Sequence, residues 1–69
     1  MNIKNGLEIL ERNIENAPET FGVYRMLGDG DKVLYVGKAK NIKKRIKSYA
    51  QLEKLPVRLQ RMVAEIRKM

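Results

Sequence analysis

The chain has 69 residues, a formal charge of +7, no cysteine and no histidine. Disulfides, thiolate chemistry, histidine-ligated zinc and a histidine general base are therefore excluded. One small domain is the upper bound on this length, with a modest buried fraction and marginal stability. A chain 43% hydrophobic and 33% charged is globular in composition, not disordered. No apolar run is long enough to cross a bilayer and the start does not read as a secretory signal. A cytoplasmic protein with no membrane partner is the expectation.

Charge is unevenly spread. Residues 1–19 set Lys4 and Arg12 against Glu8, Glu11, Glu15 and Glu19, whereas residues 20–69 set thirteen bases against Asp29, Asp31, Glu53 and Glu65. The positive field belongs to the later part, and a phosphate polymer would feel it.

Residues 2–16 predict a helix. Ile3, Leu7, Leu10 and Ile14 recur at i, i+4, i+7 and i+11, with Glu8, Glu11 and Glu15 outward. Asn16 and Pro18 end it, because proline disfavours helical geometry in the residue before it. This reads as a packing helix over residues 1–17 with a solvated acidic face and no chemistry. Residues 21–27 and 32–36 are rich in strand formers, and Gly28-Asp29-Gly30-Asp31 between them predicts a turn and thus a hairpin. Two strands alone are marginal in water, so helices or further strands must cover them.

A second helix runs from a cap at Asn41 to about Leu52. Ile42, Ile46 and Tyr49 share one stripe, with Lys43, Lys44 and Lys47 opposite. Arg45 breaks the pattern: at i+3 from Ile42 and i−4 from Tyr49 it points toward the apolar side. A guanidinium facing a core costs free energy unless something anionic meets it. Residues 51–55 then link to a third helix with Pro56 in its first turn. Its stripe, Leu55, Leu59, Met62, Val63, Ile66 and Met69, continues to the last residue, which suggests a domain that goes on in a longer parent. Arg58, Arg61, Arg67 and Lys68 ring that stripe as a solvated face, Arg61 pairing with Glu65 at i+4.

Gly22-Val23-Tyr24, ten residues, then Tyr35-Val36-Gly37 is a paired signature. It resembles the GIY-YIG nuclease module, with valine for isoleucine in both halves. The run from Tyr35 to Tyr49, with Lys38 after the glycine and Arg45 in the helix, resembles more closely the N-terminal nuclease domain of the UvrC excinuclease family. The likeness covers roughly residues 18–69. It implies hydrolysis of a DNA phosphodiester with a divalent metal, Mg or Mn, in bacterial nucleotide excision repair. DNA and the lesion-recognition subunits of that complex are the implied partners. In the carry-over, Tyr24 and Tyr35 match the motif tyrosines, one of which activates the attacking water. Lys38 matches the lysine beside the tyrosine hydroxyl, Arg45 the arginine meeting the scissile phosphate, and Tyr49 the tyrosine closing the site. Gly37, Lys40, Lys43, Lys44 and Lys47 are expected to touch the DNA backbone.

Elementary chemistry agrees. Without histidine, a base must come from tyrosine, lysine or a carboxylate, and an ammonium nearby lowers a phenol from its ordinary value near ~10. A phosphoryl transition state gathers negative charge that a positioned guanidinium stabilises well. Two departures stand out. Phe21, not proline, precedes the first motif, with Pro18 three residues earlier. The family's metal-binding glutamate and supporting asparagine lie beyond the third helix, and Glu53, Glu65, Asp29 and Asp31 do not match them. No metal ligand is assigned, and a third strand is expected to be missing.

Singly, Tyr24 and Tyr35 read as core aromatics, Gly37 as a strand-ending glycine, Arg45 as a snorkelling side chain and the lysines as a soluble face. The paired motif favours the functional reading. The expected architecture is α+β: an N-terminal helix, an antiparallel hairpin and two further helices, an incomplete GIY-YIG domain. Such a chain is expected to bind DNA weakly and to cut it poorly or not at all. The alternatives are a non-catalytic DNA-binding module and a GIY-YIG nuclease of another branch.

Overall fold

The computed structural model describes residues 3–69. In chain order it comprises helix α1 (Lys4–Asn16), strand β1 (Gly22–Leu27), a one-turn 3-10 segment (Asp29–Asp31) and strand β2 (Val33–Ala39). Helix α2 (Ile42–Ser48), a second 3-10 turn (Leu52–Lys54) and helix α3 (Val57–Glu65) complete it. The α+β arrangement is the expected one. Asn2, where the sequence starts its first helix, lies outside the described residues. Among the described residues no helix is long and apolar enough to cross a membrane.

The strands pair antiparallel, with Tyr24 opposite Gly37, Arg25 opposite Val36 and Met26 opposite Tyr35. A bulge then brings Leu27 opposite Val33. Because side chains alternate across a strand, Tyr24, Met26, Tyr35 and Gly37 share one face. The three helices cover that face. Leu10 from α1, Met26 from β1, Ile46 from α2, Val63 from α3 and Ile66 are fully buried at its centre. Val23 and Val36, on the other phase of the alternation, remain exposed.

α1 and α3 pack closely at Gly6, which lies buried against the backbone of Val63 and Ala64. Leu10, one turn further on, is fully buried. The apolar spacing that predicts α1 thus finds its partner on α3.

α2 starts where the sequence puts it. Asn41 is extended, and its side-chain oxygen accepts from the Lys44 N–H at 3.0 Å. The carbonyls of Thr20 and Pro18 accept from the Ile42 and Lys43 N–H groups at 3.0 and 3.1 Å. The loop before β1 therefore satisfies the first turn of α2, leaving its amides engaged and anion binding to side chains. The helix ends earlier than Leu52. Tyr49, Ala50 and Gln51 each donate to the carbonyl three residues back, which tightens the last turn into 3-10 geometry.

Two further expectations are corrected. β2 runs past Gly37 to Ala39, so that glycine lies inside the strand and does not end it. α3 stops at Glu65: Ile66 turns extended, and the stripe does not continue as helix to Met69. The cause is Leu27, a buried residue whose amide and carbonyl face away from β2. Its N–H donates to the Lys68 carbonyl at 2.9 Å, and its own carbonyl accepts from the Arg67 N–H at 2.8 Å. Satisfying those groups and burying Ile66 outweigh one more helical turn. The resulting Leu27–Lys68 bridge is antiparallel.

Arg67 and Lys68 are likewise not merely solvated. They meet Asp29 at 3.3 Å and Asp31 at 3.1 Å, fastening the chain end to the hairpin turn. Both pairs are exposed, so each contributes only about 0–1 kcal/mol. Arg61 makes no ion pair with Glu65 among the described residues.

Candidate functional site

The three tyrosines of the chain converge. Tyr24 and Tyr35 stack with ring centroids 5.9 Å apart, and each lies 6.2 Å from the ring of Tyr49. β1 and β2 deliver the first two from the covered face of the sheet, and the end of α2 brings the third down onto them. The hydroxyls of Tyr24 and Tyr49 share a hydrogen bond at 3.1 Å. Tyr24 and Tyr49 are buried at 6% and 4% exposure, whereas Tyr35 is 36% exposed. The cluster thus presents one open phenol backed by two closed ones.

Gly37 makes this possible. A Cβ at that position would stand 2.6 Å from both Cζ and the hydroxyl oxygen of Tyr24, and 2.8 Å from Cε2 of Tyr35. Real Cβ atoms do not approach that closely. The motif glycine is therefore a gap in the pleat over which the Tyr24 ring lies. The sequence does not give this register: an even four-residue turn would set Tyr24 against Tyr35, and the irregularity between Met26 and Leu27 moves Tyr24 opposite Gly37 instead.

Arg45 is exposed, so the expected inward guanidinium is corrected. Its Cα sits on the flank between Ile42 and Tyr49, and its long side chain reaches outward, with Cζ 5.7 Å from the centroid of the Tyr49 ring. No buried charge has to be compensated. An exposed cation over a ring contributes about 0.5–1 kcal/mol. The guanidinium is held above its ordinary value chiefly by a hydrogen bond to Tyr24, then by the Tyr49 and Tyr24 phenolates it would face on ionisation. It stays cationic at any physiological pH.

Tyr49 is pushed upward, first by burial and then by its hydrogen bond with Tyr24. Its neutral form is favoured in the fold, so its contribution to stability is full below the ordinary phenol value of 10.0 and is lost as pH rises beyond it. Thermal melts from about pH 8 to about pH 11 should show a falling midpoint, and Tyr49→Phe should flatten that fall. An unchanged slope in the variant would remove Tyr49 as its source.

Arg45 borders two openings. One is a groove of about 600 Å³ that also takes in Lys38, Lys40, Asn41, Lys44 and Ser48. The other is a cleft of about 550 Å³ between β2, α2 and α3, whose polar lining is Lys32, Tyr35, Arg45, Tyr49, Arg58 and Glu65. Lys38 pairs with Val23, out of phase with the tyrosines, and it lines the groove that Arg45 also borders. Lys40 and Lys44 join it there. Lys43 and Lys47 go elsewhere: the Lys43 ammonium donates to the Glu15 carbonyl at 3.4 Å, and Lys47 lies near Glu11 and Glu15 of α1. The five expected backbone contacts therefore separate into Lys40 and Lys44, which share the groove with Lys38, a spacing glycine, and two lysines turned toward an acidic helix.

Sequence reasoning misses Lys32, Arg58 and Glu65. A signal is present for two of them, because Arg58, Met62 and Glu65 recur at i, i+4 and i+7 and so share one side of α3.

Residues 20–69 match the model of the UvrC-like GIY-YIG domain. The chain is 52% identical over 60 residues to the UvrABC system protein C of Rhodospirillum rubrum, which covers 86% of this chain and 9% of that protein. It is 46% identical over 67 residues to the protein of that name from Sphingopyxis alaskensis, covering 97% of this chain and 10% of the relative. Identity to the Paramagnetospirillum magneticum protein is 44% over 63 residues, 91% of this chain and 10% of the relative. The chain thus spans about a tenth of the length of these relatives. A match over that stretch, with the tyrosines gathered and Arg45 beside them, places it: the chain belongs to the UvrC-like GIY-YIG domain family.

Proposed function

We propose that the chain is the phosphate-binding part of a DNA endonuclease acting in bacterial nucleotide excision repair, in the cytoplasm, with the lesion-recognition subunits of that complex as partners. The observation that carries the reading is the convergence of three phenols under one exposed guanidinium, beside a basic groove. A DNA strand would lie in the groove against Lys38, Lys40 and Lys44, which recognise backbone and not sequence. Arg45 would bind the scissile phosphate, its planar fork matching two phosphate oxygens and the charge that builds there in the transition state. Tyr35, the open phenol, is the one placed to touch an attacking water. Tyr24 stacks on it and Tyr49 leans against it, and the Tyr49 ring also lies under the Arg45 guanidinium.

The resemblance also implies a divalent metal. Among the described residues no three His, Cys, Asp or Glu side chains cluster. Glu65 is the carboxylate on the cleft, and it stands with Lys32, Arg45 and Arg58, a positive setting that repels a divalent cation. These residues do not fit the metal. The chain by itself is accordingly expected to bind DNA and to nick supercoiled plasmid poorly or not at all. Robust metal-dependent nicking that Tyr35→Phe abolishes would show that the chain carries its own metal ligand.

Binding separates this reading from a module without chemistry. In low salt, Arg45→Ala should weaken duplex binding about tenfold, Lys44→Ala about threefold, and Lys47→Ala hardly at all. Equal losses for Arg45→Ala and Lys44→Ala would favour the non-catalytic module, in which the tyrosines only pack.

A further inference from the structure

We propose that Arg58 on α3 is a second phosphate-binding residue, holding the backbone phosphate next to the one Arg45 takes. This rests on the reading of the cleft just given. An exposed arginine on a helix is ordinarily a solvated side chain, and three observations set Arg58 apart. It lines the same cleft as Tyr35, Arg45 and Tyr49, which the neighbouring exposed Arg61 does not. It makes no ion pair among the described residues, and Glu65, the cleft's acid, is seven positions away, about 10 Å along the helix. Its charge is therefore not cancelled locally.

The cleft's layout adds to this. Leu59 and Met62 supply apolar lining to the same cleft, and Arg58 is exposed. Arg45 borders both the groove and the cleft. A strand that follows the groove past Arg45 must pass next over the cleft, where Lys32 and Arg58 are the available cations. Of these, arginine offers the planar fork that matches two oxygens of a phosphodiester. Recognition of this kind reads charge and spacing, not sequence.

The test is equilibrium binding of the full chain to a fluorescent DNA duplex across a salt series, with Arg58→Ala, Arg61→Ala, Arg58→Lys and Arg45→Ala compared. Arg58→Ala should weaken binding about three- to tenfold at low salt and lower the slope of log affinity against log salt by about one. Arg58→Lys should restore the slope, and Arg61→Ala should change neither quantity appreciably. A single neutral methylphosphonate walked along the strand should abolish the Arg58→Ala penalty at one position, adjacent to the position that abolishes the Arg45→Ala penalty. Equal losses from Arg58→Ala and Arg61→Ala would overturn the proposal, since the positive field alone would then account for both. So would a silent Arg58→Ala beside a damaging Arg45→Ala, which leaves the site reading intact. If both variants bind as the parent does, the reading of the cleft itself falls. Thermal melts of each variant confirm that the fold is retained.

Discussion

Gly6→Ala should lower the melting temperature by roughly 10 °C. A Cβ at Gly6 would run into the carbonyl oxygen of Val63, with the Val63 and Ala64 carbonyl carbons close behind. These are backbone atoms of α3 and cannot rotate aside. α1 must move off α3, opening the packing over Val63 and Leu10, both fully buried. Overpacking of this kind costs about 1–3 kcal/mol and sometimes more. Opposing it, alanine is favoured over glycine inside a helix by up to about 1 kcal/mol. The clash wins because it is set by main chain on both sides, leaving a net loss of about 2 kcal/mol. In a domain this small each kcal/mol shifts the midpoint by about 4–8 °C. Scanning calorimetry or circular dichroism melts would decide it, and a midpoint raised by the substitution would mean that α1 is free to slide on α3.

Gly37→Ala should be nearly as damaging, and it should disable the site as well. The new methyl displaces the Tyr24 ring, breaking its hydroxyl contact with Tyr49 at 3.1 Å and its stack on Tyr35. A buried hydroxyl left without its partner costs about 1–3 kcal/mol, and each aromatic pair is worth about 0.5–1.5 kcal/mol. A destabilisation of about 2–3 kcal/mol is expected, together with a changed tyrosine signal in near-ultraviolet circular dichroism. With Tyr24 displaced, Tyr49 loses its hydroxyl partner and the ring beneath Arg45 is no longer held, so DNA binding should weaken toward that of Arg45→Ala. The cause can be isolated with a double-mutant cycle. Tyr24→Ala removes the nearer of the two rings that the methyl meets, leaving only Tyr35 Cε2 at 2.8 Å, so adding Gly37→Ala to it should cost clearly less than Gly37→Ala costs alone. Fully additive losses would show that the glycine serves the backbone and not the ring.

Much of this arrangement is legible in the sequence. The strand phase puts Tyr24 and Tyr35 on one face, the Asn41 cap fixes where α2 begins, and the i, i+3 and i+7 spacing of Ile42, Arg45 and Tyr49 carries the helix onto the same site. These are local signals, set by periodicity and by hydrogen bonds within a few residues. What escapes depends on contacts between distant segments. The end of α3 is hidden because the stripe through Ile66 fits a helix, whereas the backbone of Leu27 bonds Arg67 and Lys68 and draws the chain out of the helix into a single antiparallel bridge. Arg45 reads as buried because helical spacing fixes a Cα and not the far end of a long side chain. Lys43 and Lys47 group with Lys44 because a helical wheel does not show that α1, with Glu11 and Glu15, lies along their side. Arg58 gains its meaning only from the cleft, which α3 forms with segments far from it in the chain.

The phenol cluster and Arg45, not the general positive charge, form the surface that meets the DNA backbone in this account. Titrating ¹⁵N-labelled chain with a short duplex and following amide and arginine side-chain resonances tests that claim most directly. The largest shifts are expected at Tyr35, Gly37, Lys38, Arg45 and Tyr49, with little change at Lys43 and Lys47. Shifts concentrated at Lys43, Lys47 and the outer side of α1, with the tyrosine cluster silent, would contradict it.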